Sequence, residues 1–258
     1  MLLRLIDSGA SGGAPGALNM GIDEAVLRSV AAGDSLPALR LYSWAPACVT
    51  VGYFQSLEDE VDLAACRAAG VDAVRRITGG GAVLHEAEIT YSIVLPEGHP
   101  LAPAGILDSY RIICGGIVDA LRELGIEAAF EPINDVCAGG RKVSGNAQTR
   151  KYGCLLQHGT VLLGLDPERM FSLLRVPKEK LAGKAISEVR QRVTSVGGLL
   201  GRSVGYAEAA GALAKGFASA FAPYGVELAR GGLEPAELAE GRRLAAEKFS
   251  SAAWNRRR

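Results

Sequence analysis

The chain has 258 residues, of which 48% are hydrophobic and 22% charged, enough apolar material for a substantial core. Its 28 basic and 28 acidic residues balance to a formal net charge of +0, so nothing in the composition points to nucleic acid or a membrane as a partner. Five cysteines (Cys48, Cys66, Cys114, Cys137, Cys154) without a CxxC pair argue against a disulfide framework and a zinc site, and MLLRLIDSG lacks a signal-peptide core; a reducing cytoplasm is the expected compartment.

In chain order, MLLRLIDSG reads as a first strand, followed by a glycine-rich connector and a helix over NMGIDEAVLRSVAAG, with Ile22, Val26 and Val30 on one face and Gly33 as its stop. ALRLYSW and CVTVGYF are short strands separated by a hairpin-like break at Ala45, Pro46 and Ala47. A helix over 58–69 ends at Gly70, and the strands VDAVRR and ITYSIVL bracket three consecutive glycines. SYRIICGGIVDALRELG carries the clearest helical stripe, Ile113, Ile117, Leu121 and Leu124, closed by Gly125. RKVSGNA and CLLQHGTVLL read as strands, and Asp166-Pro167 opens a helix through Leu174. Helices over 206–222 and 235–249 precede a frayed basic tail, Arg256 to Arg258. Strands and helices mix without regular alternation, which predicts one α+β domain over 1–258, with mixed or antiparallel sheets flanked by helices.

Two stretches carry chemistry. In RRITGGGAVLHE, glycine is the costly choice beside strands, so Gly79, Gly80 and Gly81 imply a bare backbone whose N–H groups meet a ligand, with Arg75 and Arg76 as a neighbouring fork for phosphate or carboxylate. A tight turn is the bland reading of an isolated triplet; the flanking arginines and His85 favour the ligand. It is neither a GxxxxGK[ST] loop nor a GxGxxG loop. In PINDVCAGGRKVSGNAQ, Lys142 stands beside the small residues Ser144, Gly145 and Ala147, which leave room for a ligand at its ammonium. Asn134 and Asp135 form either an Asx turn or a polar pair that orients a head group. His158, in an apolar segment, reads as a hydrogen-bonded core histidine rather than a base.

RRITGGGAVLHE, INDV, GRKVSGNAQ and QHGTVLL, with the upstream LNMGIDEAV and the closing EKFSSAAWN, together resemble the lipoate–protein ligase catalytic domain of the biotin/lipoate ligase and octanoyltransferase superfamily. The resemblance implies ATP-dependent activation of lipoate or octanoate to an acyl-adenylate, then transfer to a lysine. The implied acceptors are lipoyl domains of 2-oxoacid dehydrogenase complexes and the glycine-cleavage H protein. It implies that Arg76, Gly79, Gly80, Gly81, Ala82, Val83 and Leu84 line the nucleotide and acyl head group, with His85 at the edge and Ser144 and Gly145 at the substrate. Lys142 would contact the carbonyl and the α-phosphate as the catalytic residue, while Asn134 and Asp135 would hold the adenylate or its magnesium. From pattern alone, Val51, Val83, Leu155 and Val161 are expected to form the acyl slot.

Full-length bacterial ligases of this kind carry a small extra C-terminal domain, whereas this chain stops at Arg258; a separately encoded accessory subunit would fill that role. The related octanoyltransferases dispense with ATP and use a cysteine within Cys-Phe-x-Ala-Pro-Ser and a GGRGV loop. Here the matching stretch is AAFEPINDV and the loop is GGGAV, which favours the ligase; Cys137 keeps the transferase as the alternative. A non-catalytic acyl- or lipoyl-domain binder is a further reading, and a biotin ligase, lacking its GRGR-type loop, ranks last.

Overall fold

A computed structural model describes residues 1–175 and 182–257. Strand β1 (Leu2–Asp7) leads into helix α1 (Gly16–Ala32), which Gly33 ends in the left-handed conformation at φ 77°. β2 (Ala38–Tyr42) and β3 (Cys48–Val51) follow, then the short helices α2 (Leu57–Glu60) and α3 (Leu63–Ala68). The single helix expected over 58–69 is divided because the Asp62 carboxylate accepts the N–H groups of Ala64 and Ala65 and starts a new one. β4 (Asp72–Arg75), β5 (Val83–His85) and β6 (Glu88–Pro96) surround the glycine triplet, and α4 (Ile106–Glu123) follows. Next come β7 (Ala129–Glu131), β8 (Asp135–Ala138), β9 (Arg141–Lys151) and β10 (Cys154–Leu162). The chain continues with α5 (Pro167–Leu173), α6 (Ala182–Arg192), α7 (Val196–Leu200), α8 (Tyr206–Phe221) and β11 (Glu227–Gly231). It ends with α9 (Pro235–Leu244), a π-helical turn at Ala245–Phe249 and α10 (Ala252–Asn255).

The strands form two mixed sheets, in agreement with the expected α+β class. The large sheet runs β11-β1-β2-β6-β10-β9-β8-β7, parallel across β11, β1 and β2 and antiparallel elsewhere. The small one runs β4-β3-β5. The expected hairpin between β2 and β3 does not form: β2 pairs with β1 and β6, and β3 with β4 and β5, so residues 45–47 carry the chain from one sheet to the other.

Strand alternation distributes β10 between two cores. Leu155 and Val161 pack with Ile113, Ile117 and Leu121 of α4 and Leu213 and Phe217 of α8, while Leu156 packs with Val26 and Val30 of α1. Glycines let the helices approach. A Cβ on Gly116 of α4 would stand 2.1 Å from the Phe217 ring, and one on Gly21 of α1 would stand 2.3 Å from the Gly241 carbonyl of α9. The small sheet has its own core of Val49, Val51, Leu57 and Val61.

Arg75 locks the C-terminus to this frame. Fully buried, its guanidinium donates to the backbone carbonyls of Gly52, Tyr53, Gln55, Trp254, Asn255 and Arg257. The terminal segment is therefore not a frayed tail as far as Arg257. The Arg257 guanidinium stacks 4.3 Å over the Tyr53 ring and Arg256 pairs with Glu58; Arg258 lies outside the described residues. Arg75→Ala would strand these carbonyls and is expected to destabilise the fold by about 3 kcal/mol or more, read as a lower urea midpoint, with the last residues becoming cleavable by trypsin.

Candidate active site

Arg76, the neighbour of Arg75, points the other way and organises the glycine loop. Its Nε and Nη2 donate to the Gly79 carbonyl, Nη2 also to Gly81, and Nη1 to the carbonyl and hydroxyl of Thr50. With these carbonyls drawn inward, the N–H groups of Gly79, Gly80 and Gly81 donate to no acceptor among the described residues. Gly80 takes φ 94°, and a Cβ there would meet Arg76 Nη2 at 2.8 Å, whereas Cβ atoms on Gly79 and Gly81 would enter open space. Gly52 backs the loop so closely that its Cβ would lie 2.0 Å from the Gly80 carbonyl. The bare backbone thus meets two demands: a left-handed turn packed against another main chain, and clear space beside free amide donors. Burial lowers the Arg76 pKa to about 10, which leaves it charged at neutral pH.

The loop forms one wall of a cavity of about 370 Å³ between the two sheets. Gly80, Gly81, Ala82, Val83, Leu84 and His85 line it, as do Arg76, Asn134, Lys142 and Gly145. The loop and the Lys142 amine therefore face one space. Lys142 reaches across Gly145, whose Cβ would stand 2.7 Å from both Lys142 Cε and Nζ, so the small residue is what lets the lysine lie over its own strand. Its Nζ lies 2.7 Å from Asp135 Oδ1, both side chains half-buried. Asn134 and Asn146 bond reciprocally, the Asn134 amide to the Asn146 carbonyl and the Asn146 amide to the Asn134 carbonyl, which pins β8 to β9. Ser144 is buried beneath this pair, and Asp135 supports Lys142 without lining the cavity.

The expected acyl slot is corrected at three of its four positions. Val83 lines the cavity, but Leu155 and Val161 face the α4–α8 layer and Val51 lies in the small sheet's core. The apolar wall is formed instead by Met20, Leu84, Leu162, Leu165, Met170 and Val193. None of the five cysteines lines the cavity. Cys137 lies opposite Lys142 across the β8–β9 pair, and burial, with Asp135 and Glu131 nearby, raises its thiol pKa.

Behind the cavity runs a buried polar network, part of which sequence reasoning found. His158 is hydrogen-bonded in the interior as expected, its Nδ1 3.3 Å from Asp23 Oδ2 and its Nε2 2.6 Å from Thr78 Oγ1, yet it also borders the cavity. Asp23 of α1, not singled out from sequence, also accepts from Arg40, Tyr42 and Ser92. Burial pushes its pKa up, but the His158 hydrogen bond and the Arg40 charge outweigh this and hold the carboxyl below its ordinary value. An ionised Asp23 accepts only, so the contact at Nδ1 is a donation from His158. His85 stacks on Trp44 at 4.1 Å and spans Thr50 Oγ1 and Glu88 Oε1; burial lowers its pKa, despite Glu88, and keeps it neutral.

A model of the lipoyl protein ligase A/B catalytic domain matches residues 15–218. The chain belongs to this family. Octanoyltransferase LipM of Symbiobacterium thermophilum is 39% identical over 277 residues, covering 99% of this chain and 98% of the relative. LipM of Bacillus subtilis is 35% identical with the same coverage. The bipartite lipoate protein ligase structure from Thermoplasma acidophilum, described with its E2 lipoyl domain, superposes with a TM-score of 0.84 at 30% identity, covering 98% of this chain and 94% of that one. A lipoate-protein ligase A bound with ATP gives 0.81 at 29% identity, covering 99% and 98%. The protein is thus an enzyme with the lipoate-ligase fold. The LipM relatives back the octanoyl-transfer alternative better than the ATP-dependent ligase expected from the motifs, and they lend no support to ATP, magnesium or an acyl-adenylate.

Within this family site, Gly145→Ala isolates the position of Lys142 from its charge. The new methyl displaces only the end of a flexible side chain, so stability should change by less than about 1 kcal/mol while acyl transfer falls about tenfold or more. Thermal unfolding and intact-mass assays check the two halves.

Proposed function

We propose that the protein moves an octanoyl group from an activated donor to a lysine amine of a lipoyl domain. The observation that carries this reading is that one cavity holds the free loop amides and the Lys142 ammonium together with a set of apolar side chains. A medium-chain tail fits the wall, and its carbonyl then meets positive potential. When the acceptor amine attacks, negative charge grows on the carbonyl oxygen, and preformed donors stabilise it more than they stabilise the ground state. Each such donor contributes about 3–4 kcal/mol to barrier lowering. Lipoyl domains of 2-oxoacid dehydrogenase complexes and the glycine-cleavage H protein are the proposed acceptors. The free thiols suit a reducing cytoplasm, and no helix among the described residues is long and apolar enough to cross a membrane.

One observation favours a second reading, the ATP-dependent ligase of lipoate or octanoate. With no cysteine in the cavity and the Cys137 thiol disfavoured as a thiolate, an enzyme-bound thioester lacks a seat, whereas an acyl-adenylate needs none. The same loop amides and Lys142 suit the α-phosphate. Among the described residues there is no cluster of three or more His, Cys, Asp or Glu, and Asp135 is already paired with Lys142. Magnesium would thus be held chiefly by the nucleotide's phosphates, since Asp135, expected to hold it, does not line the cavity, and an accessory subunit would complete this route.

Mass spectrometry of an apo lipoyl domain separates the two. Octanoyl-carrier protein without ATP should add one octanoyl group; product only with lipoate and MgATP would establish the second reading, and product neither in these tubes nor from preformed lipoyl-AMP, whose transfer needs no adenylation by an accessory subunit, would overturn both. Lys142→Ala should slow whichever reaction occurs by about a hundredfold or more, with the fold retained.

A further inference from the structure

Outside the cavity, one stretch of surface carries charged and aromatic groups that the acyl-transfer site leaves unused. Tyr53 and Phe54 follow Gly52, the residue that backs the glycine loop, and the Tyr53 amide donates to the Thr78 carbonyl. Two cations share the Tyr53 ring: the Arg257 guanidinium lies 4.3 Å from its centroid and Lys151 Nζ 5.0 Å. Neither has a carboxylate partner among the described residues, although nearby Arg256 pairs with Glu58 and Lys248 with Glu24. Like charges held this near repel, and an anion placed between them relieves the repulsion. The aromatic side chains beside them are displayed rather than packed. Phe54 is 85% exposed, and Tyr152, next to Lys151 at the tip of the β9–β10 hairpin, is 58% exposed. Tyr152 also takes φ 57°, a left-handed conformation that costs a bulky side chain and is otherwise confined to glycines among the described residues. Exposed aromatic rings and arginine are groups that protein interfaces favour.

Strand β9 connects this patch to the cavity. Side chains alternate along a strand, so Ala147, Thr149 and Lys151 share one face. Ala147 lines the cavity, and a Cβ on Gly80 would stand 4.0 Å from its methyl group. At about 3.3 Å per residue, Lys151 lies about 13 Å beyond Ala147 along the strand. That interval selects the partner. The four-carbon stem of an acceptor lysine falls far short of it, so an acceptor seated on the patch would leave its amine outside the cavity. A phosphopantetheine arm is comparable to about four extended residues, on the order of 15 Å from phosphate to sulfur. It spans the interval and carries its anion at the far end.

We propose that this surface docks the donor, an acidic carrier protein that holds the octanoyl thioester on a phosphopantetheine arm. Lys151 and Arg257 receive the arm's phosphate and the acidic residues around it, while Phe54 and Tyr152 pack against the carrier. The arm follows β9 past Thr149 and brings the thioester carbonyl to the loop amides and Lys142. Because the chain's formal net charge is +0, the attraction is local to this patch rather than a general affinity for polyanions. The inference rests on the octanoyl-transfer reading and adds to it the place where the donor binds.

The test is steady-state transfer by the full chain from octanoyl-carrier protein to an apo lipoyl domain, without ATP, with each substrate varied in turn. Lys151→Glu combined with Arg257→Glu should raise KM for the octanoyl-carrier protein about tenfold or more. Under the same conditions kcat at saturating carrier and KM for the lipoyl domain should stay near their wild-type values. The wild-type KM for the carrier should also rise with added salt, and the variant's should respond much less. Should the charge reversals disturb the terminal segment, Phe54→Ser, at a position that supports no core, decides by the same comparison. An unchanged carrier KM, a loss confined to kcat, or a rise of equal or greater size in the lipoyl-domain KM, which would seat the acceptor here, would overturn the proposal. Wild-type protein that takes no octanoyl group from the carrier would overturn the octanoyl-transfer reading itself, a result seen before any variant is made.

Discussion

One buried guanidinium determines how the glycine loop presents itself. A charge as deep as Arg76 is tolerated only when its N–H groups are satisfied, and the acceptors that satisfy it are mainly the loop's own carbonyls. Because peptide units are rigid, turning the carbonyls of Gly79 and Gly81 toward Arg76 turns amides toward the cavity. The site's positive potential on this wall therefore comes as much from oriented peptide dipoles as from the arginine, which is shielded by its own acceptors. Arg76 is better understood as the organiser of an anion-receptive surface than as a fork that grips phosphate.

The loop is in turn anchored from behind. Thr78, the residue before the triplet, bonds His158, and His158 bonds Asp23 on α1, which also collects Arg40, Tyr42 and Ser92. This ties loop, helix and large sheet through a carboxylate whose charge is compensated on several sides. A network satisfied at every member rigidifies, and rigidity is what preorganised donors require. Both ring nitrogens of His158 and of His85 are engaged, so neither histidine offers a free lone pair to substrate in this arrangement.

The glycine triplet and Lys142 were legible because their meaning is local: glycines out of place beside strands, and a lysine set among residues too small to crowd it. The acyl wall was not, since it depends on which face of β10 turns to the cavity. Alternation separates Leu155 and Val161 from Leu162, but only the pairing of β10 with β6 and β9 says which set faces α4. The same ambiguity affected the adjacent arginines, where period-two geometry sends Arg75 to the C-terminal carbonyls and Arg76 to the loop. Strands β7 and β11 are too exposed to leave an alternating signal, and β8, whose burial does alternate, is only four residues long.

The distance between chain and relatives is chemical rather than architectural. Relatives named octanoyltransferase share more than a third of their residues with it, and structures of lipoate ligases share its fold, yet no thiol of this chain reaches the cavity. A cysteine-bound intermediate divides acyl transfer into two steps, each with its own tetrahedral state. Without one, donor carbonyl and acceptor amine must occupy the site together, and the protein must supply both faces of a single transition state. Cationic and amide donors serve the face on which charge grows at the carbonyl oxygen.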